Sequence, residues 1–280
     1  AKPTNLARFI SEQRREIVDL HEGVGLELQI HAEGSSDARS IMSKSRLREL
    51  VISRLRELGN EPGQRLDRVA DQIVQASTDR LVLLVPAEDE GISFEIRSLQ
   101  ELMAARALVK GREGQIRERL TIAAPSPHWR NTLIFLAGKI FADGADHERD
   151  MVVEVVEDFD QRSGWPGWLC PVGPELAANL LDDGLAATTP KWRRRLIDVA
   201  LRALSGPVPS GLNAIATALA GAGDKNDHLH IRSELKSSLA GMQRSQEIAR
   251  LILTLTSFGP PIPGQQKPFT ASTMREPQLI

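Results

Sequence analysis

Apolar residues recur at helical intervals through most of the chain and at alternate positions in two short stretches. Over 5–20, Leu6, Phe9, Ile10, Ile17 and Leu20 fall at roughly helical spacing, whereas Val24, Leu26, Leu28 and Ile30 alternate with polar neighbours and predict a strand. A Gly/Ser-containing link over 34–43 follows. Leu47, Leu50, Val51, Leu55 and Leu58 then share one face of a helix closed by Gly59 and Pro62, and Leu66, Val69, Ala70, Ile73 and Val74 mark the next helix. The apolar run 81–85, an acidic tip with Glu88, Asp89 and Glu90, and the alternating Ile92, Phe94 and Ile96 predict a β-hairpin. A lone hairpin is marginal and needs helices over its apolar face, so 44–110 reads as a winged-helix-like module.

Ser98 and Glu101, three residues apart, have the spacing of a capping box ahead of Leu99, Leu102, Met103 and Leu108. From about 112 onward the pattern is helical throughout. Trp129, Leu133, Leu136 and Ile140 mark one face, Val152, Val155, Val156 and Phe159 a second, and Leu196, Val199, Ala200 and Ala203 a third. Leu212, Ile215, Ala216 and Leu219, then Ile231, Leu235 and Leu239, then Ile248, Leu251, Ile252 and Leu255 continue the series. Glycine and proline breakers keep these helices short. The expected architecture is mainly α: an N-terminal helix, strand and linker over 1–43, the winged-helix-like module over 44–110, a solenoid-like helical array over 111–258, and a Pro-rich tail over 259–280, expected to be disordered.

The 280 residues are 41% hydrophobic and 26% charged, room for about two domains at roughly 150 residues each. A net charge of −2, from 35 basic and 37 acidic residues, supplies no global field for nucleic acid or anionic membrane. Cys170 is the sole cysteine, which excludes an intrachain disulfide framework and Cys-rich zinc sites. Residues 1–9 lack the apolar core of a secretory signal and no stretch approaches the length of a membrane span, so a cytoplasmic chain without a membrane partner is expected.

The segment Ile92-Ser-Phe-Glu-Ile-Arg-Ser-Leu-Gln-Glu-Leu-Met-Ala-Ala-Arg-Ala-Leu108 resembles the F-x-H-R-S-F-Q-E-F-x-A-A signature of NACHT-type STAND nucleotide-dependent signalling ATPases. Phe94, Arg97, Ser98, Gln100, Glu101, Ala104 and Ala105 match, with Leu99 and Leu102 in place of aromatics. Pro127-His-Trp-Arg-Asn-Thr-Leu-Ile-Phe-Leu-Ala-Gly-Lys139 is similar to the W-R-x-x-x-x-x-x-A-G-K helix that follows in many bacterial members, through Trp129 and Arg130. The resemblance implies the C-terminal regulatory and sensor portion of such a protein, passing on a ligand- or partner-induced conformational change, in some members against phage. It also implies partners: an NTPase domain in cis or in trans, a protein trigger or effector, and further copies of the chain. The departures carry equal weight. The phosphate-cradling G-x-x-x-x-G-K-[ST] is absent, since Gly138-Lys139 is followed by Ile140, and the family's nucleotide-sensing histidine falls at Ile96. No catalytic, cofactor or metal site is therefore expected in this chain; ATP or ADP with Mg would belong to an upstream NTPase domain.

Other constellations were weighed against plain structural roles. Arg65 and Arg68 would face phosphates in a DNA-binding winged helix, but residues 44–110 hold eleven basic and eleven acidic side chains, so DNA binding is disfavoured. Asp224, Asp227, His228 and His230 are the densest set of metal-ligand types, yet residues two apart do not share a helical face. Cys170 reads as a small buried hydrophobe, and Trp165 and Trp168, flanking Pro-Gly, as a packed corner. Lys191, Arg193, Arg194 and Arg195 form the one strong basic run, either a solvated helix face or a grip for an acidic partner. In the joint region, Phe94 is expected to anchor the hairpin, Ser98 and Glu101 to cap the helix, Arg97 and Gln100 to make interdomain polar contacts, and Trp129 to pack the next helix. A stand-alone helical scaffold and a DNA-binding regulator remain the alternatives.

Overall fold

The computed structural model of the chain describes residues 12, 14–34, 40–79, 83–87, 91–162, 171–205 and 211–241. Among them the chain is mainly helical, with eleven α-helices and a three-stranded antiparallel sheet. The order is α1 (Arg14–Gly34), β1 (Met42–Ser43), α2 (Lys44–Glu57), α3 (Gln64–Asp79), β2 (Leu84–Pro86), β3 (Gly91–Phe94), α4 (Arg97–Leu108), α5 (Glu113–Ala123), α6 (Arg130–Asp143), α7 (Asp146–Arg162), α8 (Gly173–Asp182), α9 (Pro190–Leu201), α10 (Leu212–Gly221) and α11 (Lys225–Gly241). Described residues within Ala1–Arg119 and Ser126–Lys139 form one compact unit; those within Leu120–Pro125 and Ile140–Ile280 form the second. The acidic hairpin tip, Trp165, Trp168, Cys170, the pattern over 248–255 and the tail lie outside the described residues.

In the first unit, the expected strand over 24–30 is instead the continuous helix α1. Seven of its buried residues, Ile17, Leu20, His21, Val24, Gly25, Leu28 and Gln29, alternate intervals of three and one, which is a helical stripe, and buried Glu22 borders it. The alternating reading failed because two members of that stripe are polar and one is glycine. Ile30, counted as apolar and inward, is 53% exposed. Helices α2 and α3 form as expected. Ser43 caps α2 by accepting a hydrogen bond from the Arg46 N–H at 3.1 Å, and Gly59, at φ +86°, ends it in a left-handed conformation that glycine takes without a Cβ clash.

The expected hairpin is present, and a third strand joins it. Strand β3 lies between the other two, with Met42 opposite Ile92 on one side and Leu84 opposite Phe94 on the other. Met42, Leu84, Ile92 and Phe94 turn inward onto Leu47, Val51, Leu55, Leu66, Ala70 and Ile73, while Val85 and Ser93 stand on the other face. Pro86, which has no N–H to give a neighbour, sits on an outer strand where none is required. Two-residue β1 carries too little periodicity to be seen in a sequence pattern.

In the second unit, α8 packs on α7, α9 and α10, and α9 packs on α7, α10 and α11. The run 151–160 is helical, as its spacing predicted, with Met151, Val152, Val153, Val155 and Val156 buried. Pro190 opens α9, where its missing N–H would be unpaired in any case. Leu176, Leu180, Leu196, Ile197, Ile215 and Leu219 fill the centre.

Candidate functional site

The residues selected by the two signature-like segments come together in the first unit, against α1. That helix approaches α4 closely because both backbones carry small residues at the contact. A Cβ placed on Gly25 would lie 2.6 Å from the Met103 Cβ, 2.9 Å from the Gln100 carbonyl oxygen and 3.0 Å from the Ala104 N. Ala104 and Ala105 are fully buried there. The Ala-Ala pair of the signature-like segment thus lies on a face that admits a neighbouring backbone.

A chain of neutral amides crosses the same contact. Gln100 Nε2 donates to Gln29 Oε1 at 3.0 Å, Gln29 Nε2 donates to the His128 carbonyl at 3.0 Å, and His128 Nε2 donates back to the Gln29 carbonyl at 2.8 Å. Gln29 is wholly buried. Beside it, Glu101 accepts from Arg97 Nε at 3.2 Å and from Asn131 Nδ2 at 3.1 Å, and the Trp129 indole N–H donates to Glu33 at 2.9 Å. The Trp129 and Ser126 hydrogen bonds hold the Glu33 carboxyl below its ordinary pKa. Each buried member has a partner, so removing one strands the other.

These placements correct one expectation. Ser98 and Glu101 do not form a capping box: α4 begins at Arg97 with Ile96 as its cap, no side chain caps it, and the Glu101 carboxylate is directed to Arg97 and Asn131. Gln100 bonds to Gln29 of the N-terminal segment, and Arg97 to Glu101 on its own helix. Ile96, at the histidine position of the resembling family, is 53% exposed. Phe94 is buried in the core as expected and meets the His21 ring edge-on at 6.5 Å, while Arg130 is half-buried at the start of α6.

The edge of the α1–α4 contact is charged. Asp19 accepts from Arg54 at 2.8 Å and Lys110 at 2.5 Å; Glu22, itself buried, pairs with Arg106 at 2.7 Å and with Lys110. Burial pushes the Asp19 carboxyl upward, but the bonds from Lys110 and Arg54 outweigh it and its pKa lies below the ordinary range. Burial also opposes the Lys110 charge, and Asp19 with Glu22 reverses that, so its pKa is raised. A groove of about 580 Å³ opens beside these side chains.

In the second unit all four cations of the α9 basic run meet acids of that unit, with Lys191 and Arg194 exposed, Arg195 half-buried and Arg193 buried. Lys191 donates to Asp150 at 2.9 Å, and Arg195 pairs with Glu157 at 2.6 Å and Asp150 at 2.9 Å. Arg193, 6% exposed, pairs with Asp227, 0% exposed, at 2.6 Å; Arg194 reaches the other Asp227 oxygen at 2.9 Å. Burial pushes the Asp227 carboxyl upward, but bonds from Arg194 and Arg193 dominate and its pKa is lowered. Asp227 was singled out with Asp224, His228 and His230 as a metal-ligand type; its carboxylate is taken by guanidinium groups, and His230 donates to Asp198 at 2.6 Å. Among the described residues no group of three or more His, Cys, Asp and Glu is placed to hold a metal ion.

The candidate DNA-reading helix α3 carries exposed Arg65 and Arg68, but Asp67 and Asp71 on the same helix bind Arg48 at 2.9 and 2.7 Å. Exposed acids on that helix oppose a phosphate backbone. Among the described residues no helix is long and apolar enough to cross a membrane. Comparison with family models, with curated proteins and with solved structures finds no match to this chain.

Sequence reasoning missed α1 as the partner of both signature-like segments. Gln29, Glu33 and Glu22 lie 71 to 99 residues from Gln100, Trp129, His128 and Arg106, beyond any local pattern. The one available signal was the polar residues placed on the apolar stripe of 17–28.

Proposed function

We propose that this chain is a regulatory relay, similar to the winged-helix and helical sensor portion of a NACHT/STAND signalling ATPase, whose nucleotide chemistry lies outside it. One observation carries the reading: both segments that resemble the family, 92–108 and 127–139, bond to the same buried residue, Gln29, so a displacement of α1 would be felt by both at once. The order α1, β1, α2, α3, β2, β3, with β3 between β1 and β2, supports a winged-helix-like module. In the second unit, contacts of α7 with α9 and of α8 with α10 support a stacked helical array. In this reading a trigger acts by differential affinity for two arrangements of the joint, in a signalling role of the antiphage type.

Two measurements test it. Calorimetry of the purified chain with ATP and with ADP, Mg present, should show no binding and no turnover; clear heats would overturn the placement of the chemistry elsewhere. The coding sequence preceding Ala1 should encode a G-x-x-x-x-G-K-[ST] segment in frame or in an adjoining gene. A stop codon followed by a start at this chain, with no such gene alongside, would favour the stand-alone scaffold.

A further inference from the structure

We propose that the groove between the first half of α1 and the end of α4 is a docking site for an acidic protein segment that carries an apolar residue. Five cations line it: Arg14, Arg15, Arg106, Lys110 and Lys139. The acids in the same lining are Glu12, Asp19 and Glu22, which leaves the groove net positive on a chain whose overall charge is −2. The local sign is therefore opposite to that of the molecule, and it is concentrated in a concavity where a counter-charge is felt most.

Two of the three acids, Asp19 and Glu22, are held within the fold, which leaves exposed Arg14 and Arg15 as the cations the groove turns outward. Asp19 accepts from Arg54, which lies outside the lining, as well as from Lys110, and Glu22 is 97% covered beneath Arg106 and Lys110. Arg106 and Lys110 keep 38% and 48% of their side chains exposed while holding those acids, and Arg14 and Arg15 are exposed. The carbonyls of Leu108 and Lys110 at the end of α4, which would repel an anion, are taken up by Arg119.

The shape favours a chain over a small anion. The groove is open to solvent, and its floor includes half-buried Val18 and Val109, so a lone phosphate would leave apolar surface uncovered and keep much of its own hydration. A segment with carboxylates around one Leu- or Ile-like residue would satisfy both the cations and the valines. The inference stands on this groove alone and does not depend on the relay reading.

The test uses the full chain and a fluorescein-labelled peptide alternating Glu with Leu, followed by anisotropy, with a Lys-for-Glu version and inorganic pyrophosphate as controls. Saturable binding of the acidic peptide that weakens with added salt is expected. Arg14→Gln with Arg15→Gln should weaken it about tenfold without change in far-UV circular dichroism, and Val18→Asn should weaken it by a smaller factor. Equal binding of the Lys peptide, unaltered binding by the double variant, or absence of binding at low salt would overturn the proposal. Displacement of the peptide by equimolar pyrophosphate would also overturn it, assigning the cations to phosphate instead.

Discussion

The two units differ in how far they enclose the cations that pair with their buried carboxylates. In the first, at the α1–α4 contact, the neutral amides Gln29 and Gln100 are buried beside the carboxylates of Glu22 and Glu101, whose cationic partners Arg106, Lys110 and Arg97 stay partly exposed. In the second, a guanidinium and a carboxylate, Arg193 and Asp227, are both enclosed. Amides give directional contacts with little desolvation penalty, whereas an enclosed ion pair is tolerable only while both partners remain.

The sharpest way to break the contrast is to remove one enclosed charge. Asp227→Ala leaves the Arg193 charge to the longer contact with Asp224 at 3.5 Å and should lower the stability of the second unit by up to about 3–5 kcal/mol, read from denaturant unfolding; a loss below about 1 kcal/mol would mean that the pair is not enclosed in solution. Gly25→Ala comes next. Its Cβ meets the Met103 Cβ and two backbone atoms rather than a flexible side-chain end, so despite alanine's better helix propensity a loss of about 1–3 kcal/mol is expected in the first unit.

The pH response should separate the units further. His21 is buried, its Nδ1–H donates to the Ile17 carbonyl at 2.6 Å, and its Nε2 has no hydrogen-bond partner. Burial lowers its pKa in the fold, so the unfolded chain binds the proton first. Stability from neutral His21 is complete above about pH 6.5 and is lost as pH falls from there toward the lower folded value. Asp227 has the same sign in a different window: its contribution holds above about pH 4 and fades as pH falls through its depressed value. Midpoints of urea unfolding between these pH values should move for the first unit, and His21→Gln should flatten that movement. The smallest effect belongs to exposed pairs: Arg48→Gln, which releases Asp67 and Asp71, should change stability by less than about 1 kcal/mol.

Much of the fold was legible in the sequence where apolar spacing and burial coincide, as at Leu47, Val51 and Leu55, or Leu196, Val199 and Ala200. It failed at α1, where Gly25, His21 and Gln29 face inward because a close backbone and an amide partner await them, information held some seventy residues away. For the candidate site, resemblance singled out Phe94, Gln100, Glu101 and Trp129 but not the helix they serve. The basic run of α9 was visible as charge; that Asp150, Glu157 and Asp227 would consume it depends on how α7, α9 and α11 pack.

Asp160 near the end of α7 accepts the N–H groups of Val172 and Gly173 at 3.0 and 2.9 Å, and so fixes the start of α8 across the residues between them. The entry of α8 is thereby clasped by two hydrogen bonds instead of being measured out by the connecting chain. Losing that carboxylate would leave two N–H donors at the head of α8 to seek water instead, so the helix would fray from its first turn.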